Sequence, residues 1–388
     1  MKNLIAKHIE NMQYSGIRKF FNIANEIEGV ISLGVGEPDF DTPWAARERA
    51  IYSLEKGRTT YTANAGLLEL RQEISKYMER NIGIKYLPEN EILVTVGASE
   101  GIDLAFRAII EPGDEVLVIE PSFVSYKPCI TMCGGVPIVI NTKAENDFKL
   151  QPEEILPKIT SKTKAILISY PNNPTGAVME KKDLESVAEV LKDKEILVIS
   201  DEIYSELTYT GKKHCSIAEI DGMKEKTLVL NGFSKAFAMT GWRIGFAVGN
   251  SELISAMTKI HQYIIMCAPT ISQYAGIEAL KSCIINVEKM QKEYDMRRKF
   301  MLNGFKEIGL ECFEAKGAFY LFPSIKSLNM TSEEFCHKLV YEEKVAVVPG
   351  SAFGECGEGF IRCSYAYSID EIKEALKRIE NFVKKHRH

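Results

Sequence analysis

Along most of the chain, apolar and polar positions alternate between a strand period and a helix period. Compact runs rich in β-branched residues occur as EILVTV (91–96), DEVLVIE (114–120), VPIVIN (136–141), KAILISY (164–170), EILVIS (195–200), KTLVLNGF (226–233) and IGFAVG (244–249). A turn or a helix-length segment, such as SEGIDLAFRAII after the first run, separates each run from the next. Strands apolar on both faces, alternating with helices, predict a mainly parallel sheet covered on both sides.

After this region the pattern changes. VEKMQKEYDMRRKFMLNGFKEI (287–308) reads as a long charged helix. GAFYLFPS, a helix near 332–343, VAVVPG, GFIRCSY and a closing amphipathic helix over 369–385 follow. This mixture predicts a smaller α+β domain, with the amphipathic segment 3–27 packing on it. The expected α/β protein has a large domain over 45–285, carrying a mainly parallel seven-stranded sheet, and a discontinuous small domain from 1–44 and 286–388. Repeats and low-complexity tracts are not visible, so a rigid join is expected.

Composition narrows the function. The chain has 388 residues and a net charge of −5, with a pI near 5.9. Its Lys and Arg residues are dispersed, which argues against nucleic acid and lipid surfaces as partners. The N-terminal stretch MKNLIAKHIENMQ is charged throughout, unlike a signal peptide. No apolar run reaches membrane-span length. Nine scattered cysteines, without C-x-x-C or a zinc pattern, read as free thiols of a cytoplasmic protein.

Four polar features fall at the carboxyl ends of the expected strands, where open α/β sheets bind ligands. VTVGASEG (94–101) joins a strand to a helix start at Ala98-Ser99-Glu100, whose free N–H groups suit a phosphate. Its plainer reading is a Ser N-cap. SYPNNPTGAV (169–178) fixes an irregular turn and aims an Asn amide outward, or is only a turn. VISDEIYSEL (198–207) leaves Asp201 at the end of an apolar strand with Tyr204 three residues on; a helix N-cap is the alternative for Asp201. NGFSKAFAMTGWRIGF (231–246) sets Lys235 among aromatic and small residues, where an ammonium is costly to bury. Together they suit pyridoxal phosphate. Lys235 would bond the aldehyde, Asp201 would pair with the ring nitrogen, Asn173 and Tyr204 would reach the phenolic oxygen, and the helix start would hold the phosphate.

With ISLGVGEPDFDTP, YTANAGLLELR, PGDEVLVIEPSFVSY, GAFYLFP, VPGSAFG and IRCSYA added in order, the whole sequence resembles the class I/II aminotransferases of pyridoxal-phosphate fold type I, the aspartate aminotransferase superfamily. SDEIYSELTY and CAPTISQYA resemble a bacterial branch handling aromatic amino acids or N-acetyl-diaminopimelate. The resemblance implies transamination, with Lys235, Asp201 and Tyr204 as catalytic residues. It implies further cofactor contacts from Ala98, Ser99, Phe123, Asn173 and Arg243. Tyr61 would reach the phosphate across a homodimer interface. Gly36, Phe123, Asn173 and Arg362 would meet the substrate, Arg362 gripping its α-carboxylate. Many relatives carry a phosphate-binding Ser where this chain has Gly232; Ser234 or water is a replacement.

Relatives dedicated to dicarboxylates commonly place a second cation from the neighbouring subunit opposite the substrate side chain. The corresponding stretch, HQYIIMCAPTISQYA (261–275), offers Tyr263, Met266 and Pro269, and its only basic residue is His261. Aromatic or long uncharged donors, including an N-acylated diamino acid, are therefore expected to outcompete aspartate, with 2-oxoglutarate as acceptor. A cation from the N-terminal segment, Arg18 or Lys19, is the counter-possibility. The rival functions are a cysteine-conjugate β-lyase of the same fold and a non-catalytic cofactor-binding regulator.

Overall fold

The computed structural model describes residues 4–10, 12, 14, 16–17 and 27–387. Twelve strands are assigned among these residues. β1 (Ile31–Ser32) precedes a run of seven: β2 (Ile92–Thr95), β3 (Glu115–Glu120), β4 (Val136–Asn141), β5 (Thr163–Ser169), β6 (Leu197–Asp201), β7 (Thr227–Gly232) and β8 (Gly245–Val248). Each of the seven apolar runs forms one of these, and they build a single sheet in the order β2-β8-β7-β6-β5-β3-β4. Only β8 runs against its neighbours. The sheet is mainly parallel, as expected.

Alternation along the strands feeds two helical layers. In β7, Leu228 and Leu230 pack with Leu104, Phe106 and Met257, whereas Val229 packs with Leu70, Ile74 and Phe246. The central strands are buried on both faces. β4 is the exception, with Val136 exposed and Pro137 in the strand. That is where a residue lacking an N–H donor belongs, on the sheet edge.

A second core lies around the helices Ile284–Ile308, Ser332–Glu343 and Ile369–His386, which contribute Tyr294, Met301, Phe305, Phe335, Leu339, Ile372, Ile379 and Phe382. They cover β9 (Tyr320–Leu321), β11 (Val348–Pro349) and β12 (Ile361–Ser364), an antiparallel sheet in the order β11-β12-β9. β1 pairs in parallel with β10 (Val345–Ala346), which ties residues 31 and 32 to this part of the chain. The long helix closes at Gly309, whose φ of +79° is readily adopted without a side chain. Of the expected segment 3–27, Ile17 packs against a core cluster that holds Leu117 and Ile168 of the large sheet as well as Phe353 and Phe360, while Arg18 and Lys19 lie outside the described residues. No described helix is long and apolar enough to cross a membrane.

Candidate active site

Three parallel strands end on adjacent rungs. Ser169 of β5 is level with Asp201 of β6, and Asp201 is level with Leu230 of β7. The chain leaves each strand through an irregular turn, so the residues that follow converge on one cavity of about 580 Å³. Gly36, Ala98, Ser99, Phe123, Asn173, Asp201, Tyr204, Lys235, Arg243 and Arg362 all line it.

Lys235 follows β7, and its Nζ donates to the Gly36 carbonyl. Burial lowers the amine to about 8; Glu37 opposes that shift, Arg362 and Arg243 add to it, and Asp201 opposes it. Asp201 Oδ2 accepts from the Tyr126 hydroxyl at 2.8 Å, and Oδ1 accepts from the Ile203 N–H at 3.1 Å. Burial still raises its carboxyl, despite these donors and Lys235. The protein thus leaves a buried acid short of positive charge. The segment after Asp201 is a turn, so Asp201 does not cap a helix.

The asparagines divide their work. Asn172 is scaffold: its Oδ1 accepts from the Thr175 N–H and hydroxyl, and its amide donates to Pro121 and Ser169 carbonyls. Asn173 Oδ1 accepts from Arg362 Nη1 at 2.8 Å. Arg362 Nη2 donates to the Gly34 carbonyl, and the guanidinium packs on the rings of Tyr320 and Phe353, 4.4 and 4.8 Å from their centroids. Its buried Nε has no hydrogen-bond partner.

At the other end, the helix Gly97–Ile109 begins with Val96 as N-cap. The Glu100 carboxylate accepts from the Val96 N–H at 2.6 Å, so the Ser N-cap reading is wrong and Ser99 spends nothing on capping. A Cβ on Gly97 would stand 2.9 Å from Arg243 Nη2, and Gly97 has φ of +74°. Glycine there allows the guanidinium to lie against the helix start. Gly232 has a packing reason: a Cβ would come within 3.0 Å of Gly245 Cα. Ser234 is the nearby serine on the cavity wall.

Some expected residues fall elsewhere. Tyr61 is 79% exposed and outside the cavity lining of the single chain. Tyr263, at 84%, is exposed as well. His261 is fully buried, with Nδ1 2.8 Å from the Glu100 carboxylate, and does not line the cavity.

The sequence matches the family described as aminotransferase class I and II over residues 28–379. The chain belongs to this family. Aminotransferases of this class use pyridoxal 5′-phosphate. Similar proteins include the putative aminotransferase YugH of Bacillus subtilis, 52% identical over 99% of this chain and 100% of that protein. An aspartate aminotransferase of Pyrococcus abyssi is 46% identical over 95% of this chain and 96% of its own length. The crystal structure of an aromatic aminotransferase from Pyrococcus horikoshii superposes with a TM-score of 0.90 at 44% identity, covering 94% of this chain and 99% of that one.

The sequence reading of this aminotransferase missed Tyr126 and Tyr320. Tyr126 lies three residues after Phe123 and meets it edge-on, with ring centroids 5.7 Å apart. Tyr320 interrupts the apolar stretch AFYLF with a hydroxyl that must find a partner in the core. That demand was the available signal.

Proposed function

We propose that this aminotransferase binds its cofactor in the cavity at the ends of β5, β6 and β7, with Lys235 as covalent anchor and proton carrier. The observation carrying the reading is the opposed pair at adjacent strand ends: an amine lowered toward neutrality and a carboxyl short of a cation. Both departures suit a bound pyridoxal group. Bound there, pyridoxal phosphate supplies an electron sink for the charge left when a substrate loses its α-proton.

Lys235 Nζ would bond the aldehyde and, as a free amine whose neutral form burial favours, would take and return the substrate's proton. Asp201 holds positive charge on the ring nitrogen. Asn173 and Tyr204 serve the phenolic oxygen, while Phe123 covers the ring. The N–H groups of Ala98 and Ser99 hold the phosphate with Arg243, and Ser234 takes the place of the serine absent at 232. The unpartnered Nε of Arg362 supports its role as carboxylate clamp. Gly36 lets its loop close on the substrate.

A homodimer would complete the site with the partner subunit's Tyr61. The exposure of Trp44, Tyr61, Tyr263 and Ile264 on the single chain supports that assembly. We also infer a large domain over 45–285, a small one from 1–44 and 286–388, and a reducing, cytoplasmic setting suited to nine free thiols.

The donor is proposed to be aromatic or long and uncharged, N-acylated diamino acids included, with 2-oxoglutarate as acceptor. Among the described residues lining the cavity the cations are Lys235, Arg243 and Arg362, each already assigned, and Ile17 adds an apolar wall. A second carboxylate on the donor would be desolvated without a partner, and the dicarboxylate acceptor requires a mobile arginine or a water network at its distal group. Borohydride reduction of the holoenzyme followed by peptide mapping tests the anchor; a label on another lysine overturns it. Comparing kcat/KM for phenylalanine, tyrosine, methionine, N-acetyl-diaminopimelate and aspartate tests the donor, and a clear preference for aspartate refutes it.

A further inference from the structure

Tyr320 is a fully buried tyrosine whose ring and hydroxyl serve different neighbours. The ring lies 4.4 Å from the Arg362 guanidinium. The hydroxyl lies 2.9 Å from the Tyr204 hydroxyl, a distance at which either oxygen can donate. It also stands 2.6 Å from where a Cβ on Gly36 would be, so any larger residue at 36 would displace it. β12 carries Arg362 and β9 carries Tyr320, neighbouring strands of the small antiparallel sheet. The arginine and the tyrosine are therefore delivered together.

We propose that Tyr320 is a positioning residue that orients both Arg362 and the hydroxyl proton of Tyr204. This rests on the reading of Tyr204 as a donor to the cofactor's phenolic oxygen. A tyrosine has one proton, so if Tyr204 donates it to the cofactor, its bond with Tyr320 must be one it accepts. The surroundings favour that direction. Arg362 stabilises negative charge on the Tyr320 oxygen more directly than on Tyr204, making Tyr320 the better donor, although burial raises both phenols. Donation from Tyr320 in turn makes the Tyr204 O–H a stronger donor, since hydrogen bonds in a chain polarise one another. The ring meanwhile packs against the Arg362 guanidinium, as that of Phe353 does, and restricts its orientation.

The test uses the holoenzyme and three variants: Tyr204→Phe, Tyr320→Phe and Tyr320→Leu. The first readout is the pH midpoint of the bound cofactor's absorbance change, which reports stabilisation of its phenolate. Tyr204→Phe should raise that midpoint, and Tyr320→Phe should raise it by about half a unit, the size of one weakened hydrogen bond. Because Tyr320→Phe keeps the ring, KM should stay within about twofold, whereas Tyr320→Leu should raise KM about tenfold for amino and 2-oxo acids alike through the lost cation–π contact. A midpoint unmoved in Tyr320→Phe but raised in Tyr204→Phe overturns the inference alone. A midpoint unmoved in both overturns the underlying reading of Tyr204. Unchanged KM in a folded Tyr320→Leu overturns the Arg362 half; should that variant fail to fold, the absorbance of Tyr320→Phe decides.

Discussion

Two consecutive buried acids, Asp201 ending β6 and Glu202 just beyond it, sit in different surroundings. On one face Asp201 lies beyond Ile199, against the layer containing Tyr126, and its side chain accepts from one hydroxyl and one N–H. On the other, Glu202 follows Val198 and Ser200. Its Oε1 accepts from the Ser200 and Ser216 hydroxyls at 2.8 and 2.5 Å, and its Oε2 lies 3.1 Å from His214 Nε2. Burial is equally deep, at 4% and 1% exposure. Each carboxylate accepts two hydrogen bonds, but Glu202 also has an imidazole beside it, whereas Asp201 meets the cavity with burial raising its carboxyl. Depth of burial does not separate structural from reactive acids; how well the protein answers the charge does.

The strongest way to break this contrast is at Lys235, the amine of the same cavity. Lys235→Ala should lower kcat at least about 10⁴-fold, through loss of anchor and proton carrier, with the melting temperature maintained. Steady-state assays and thermal melts check both. Asp201→Ala should lower kcat about 10³-fold at saturating cofactor, the scale of a lost electrostatic stabiliser. Near-normal turnover would place Asp201 among the structural acids. Arg362→Lys keeps the charge and loses the fork, so kcat/KM should fall about 10²-fold for every donor tested. A loss confined to some donors would make it a reader of side chains.

The opposite face should respond in stability. His214→Ala should cost on the order of 1 kcal/mol in denaturant unfolding, by removing the imidazole packed beside the buried Glu202 carboxylate, with kcat within about threefold of the parent. A further effect concerns pH. With its amine near 8 in the folded apoprotein and 10.5 ordinarily, Lys235 binds fewer protons folded than unfolded across that interval. Apoprotein stability should therefore gain a rising contribution between about pH 8 and 10.5, which Lys235→Ala removes. Melts across that range, compared between the two proteins, measure it.

The sheet was legible because its strands are compact, β-branched and separated by turn chemistry, signals that need no long-range information. That Lys235, Asp201 and Asn173 share one cavity was legible because each breaks a local rule: a charge in an apolar stretch, an acid ending an apolar strand, an amide in a rigid turn. What local patterns could not give were relations between distant residues. One local bond was missed as well: Glu100 accepts from Val96 one turn before it, which a Ser–Glu pattern does not reveal. Tyr320 reaching Tyr204 spans 116 positions, and Arg362 reaching Asn173 spans 189. The burial of His261 also escaped notice, since its partner lies on another helix.

The shared rung of Ser169, Asp201 and Leu230 makes the sheet a ruler whose smallest division is one residue. Sliding β6 by a single step would turn every side chain to the opposite face. Glu202 would then enter the cavity with one more methylene than the site has room to place, while Asp201 would face Ser216 and His214, too short to reach both. A one-residue deletion within 195–200 would thus be a chemical lesion before it was a packing defect, even with every reactive residue still in the chain. Loops away from these strand ends can change length freely by comparison, so variation in length within this protein should concentrate at the opposite edge of the sheet.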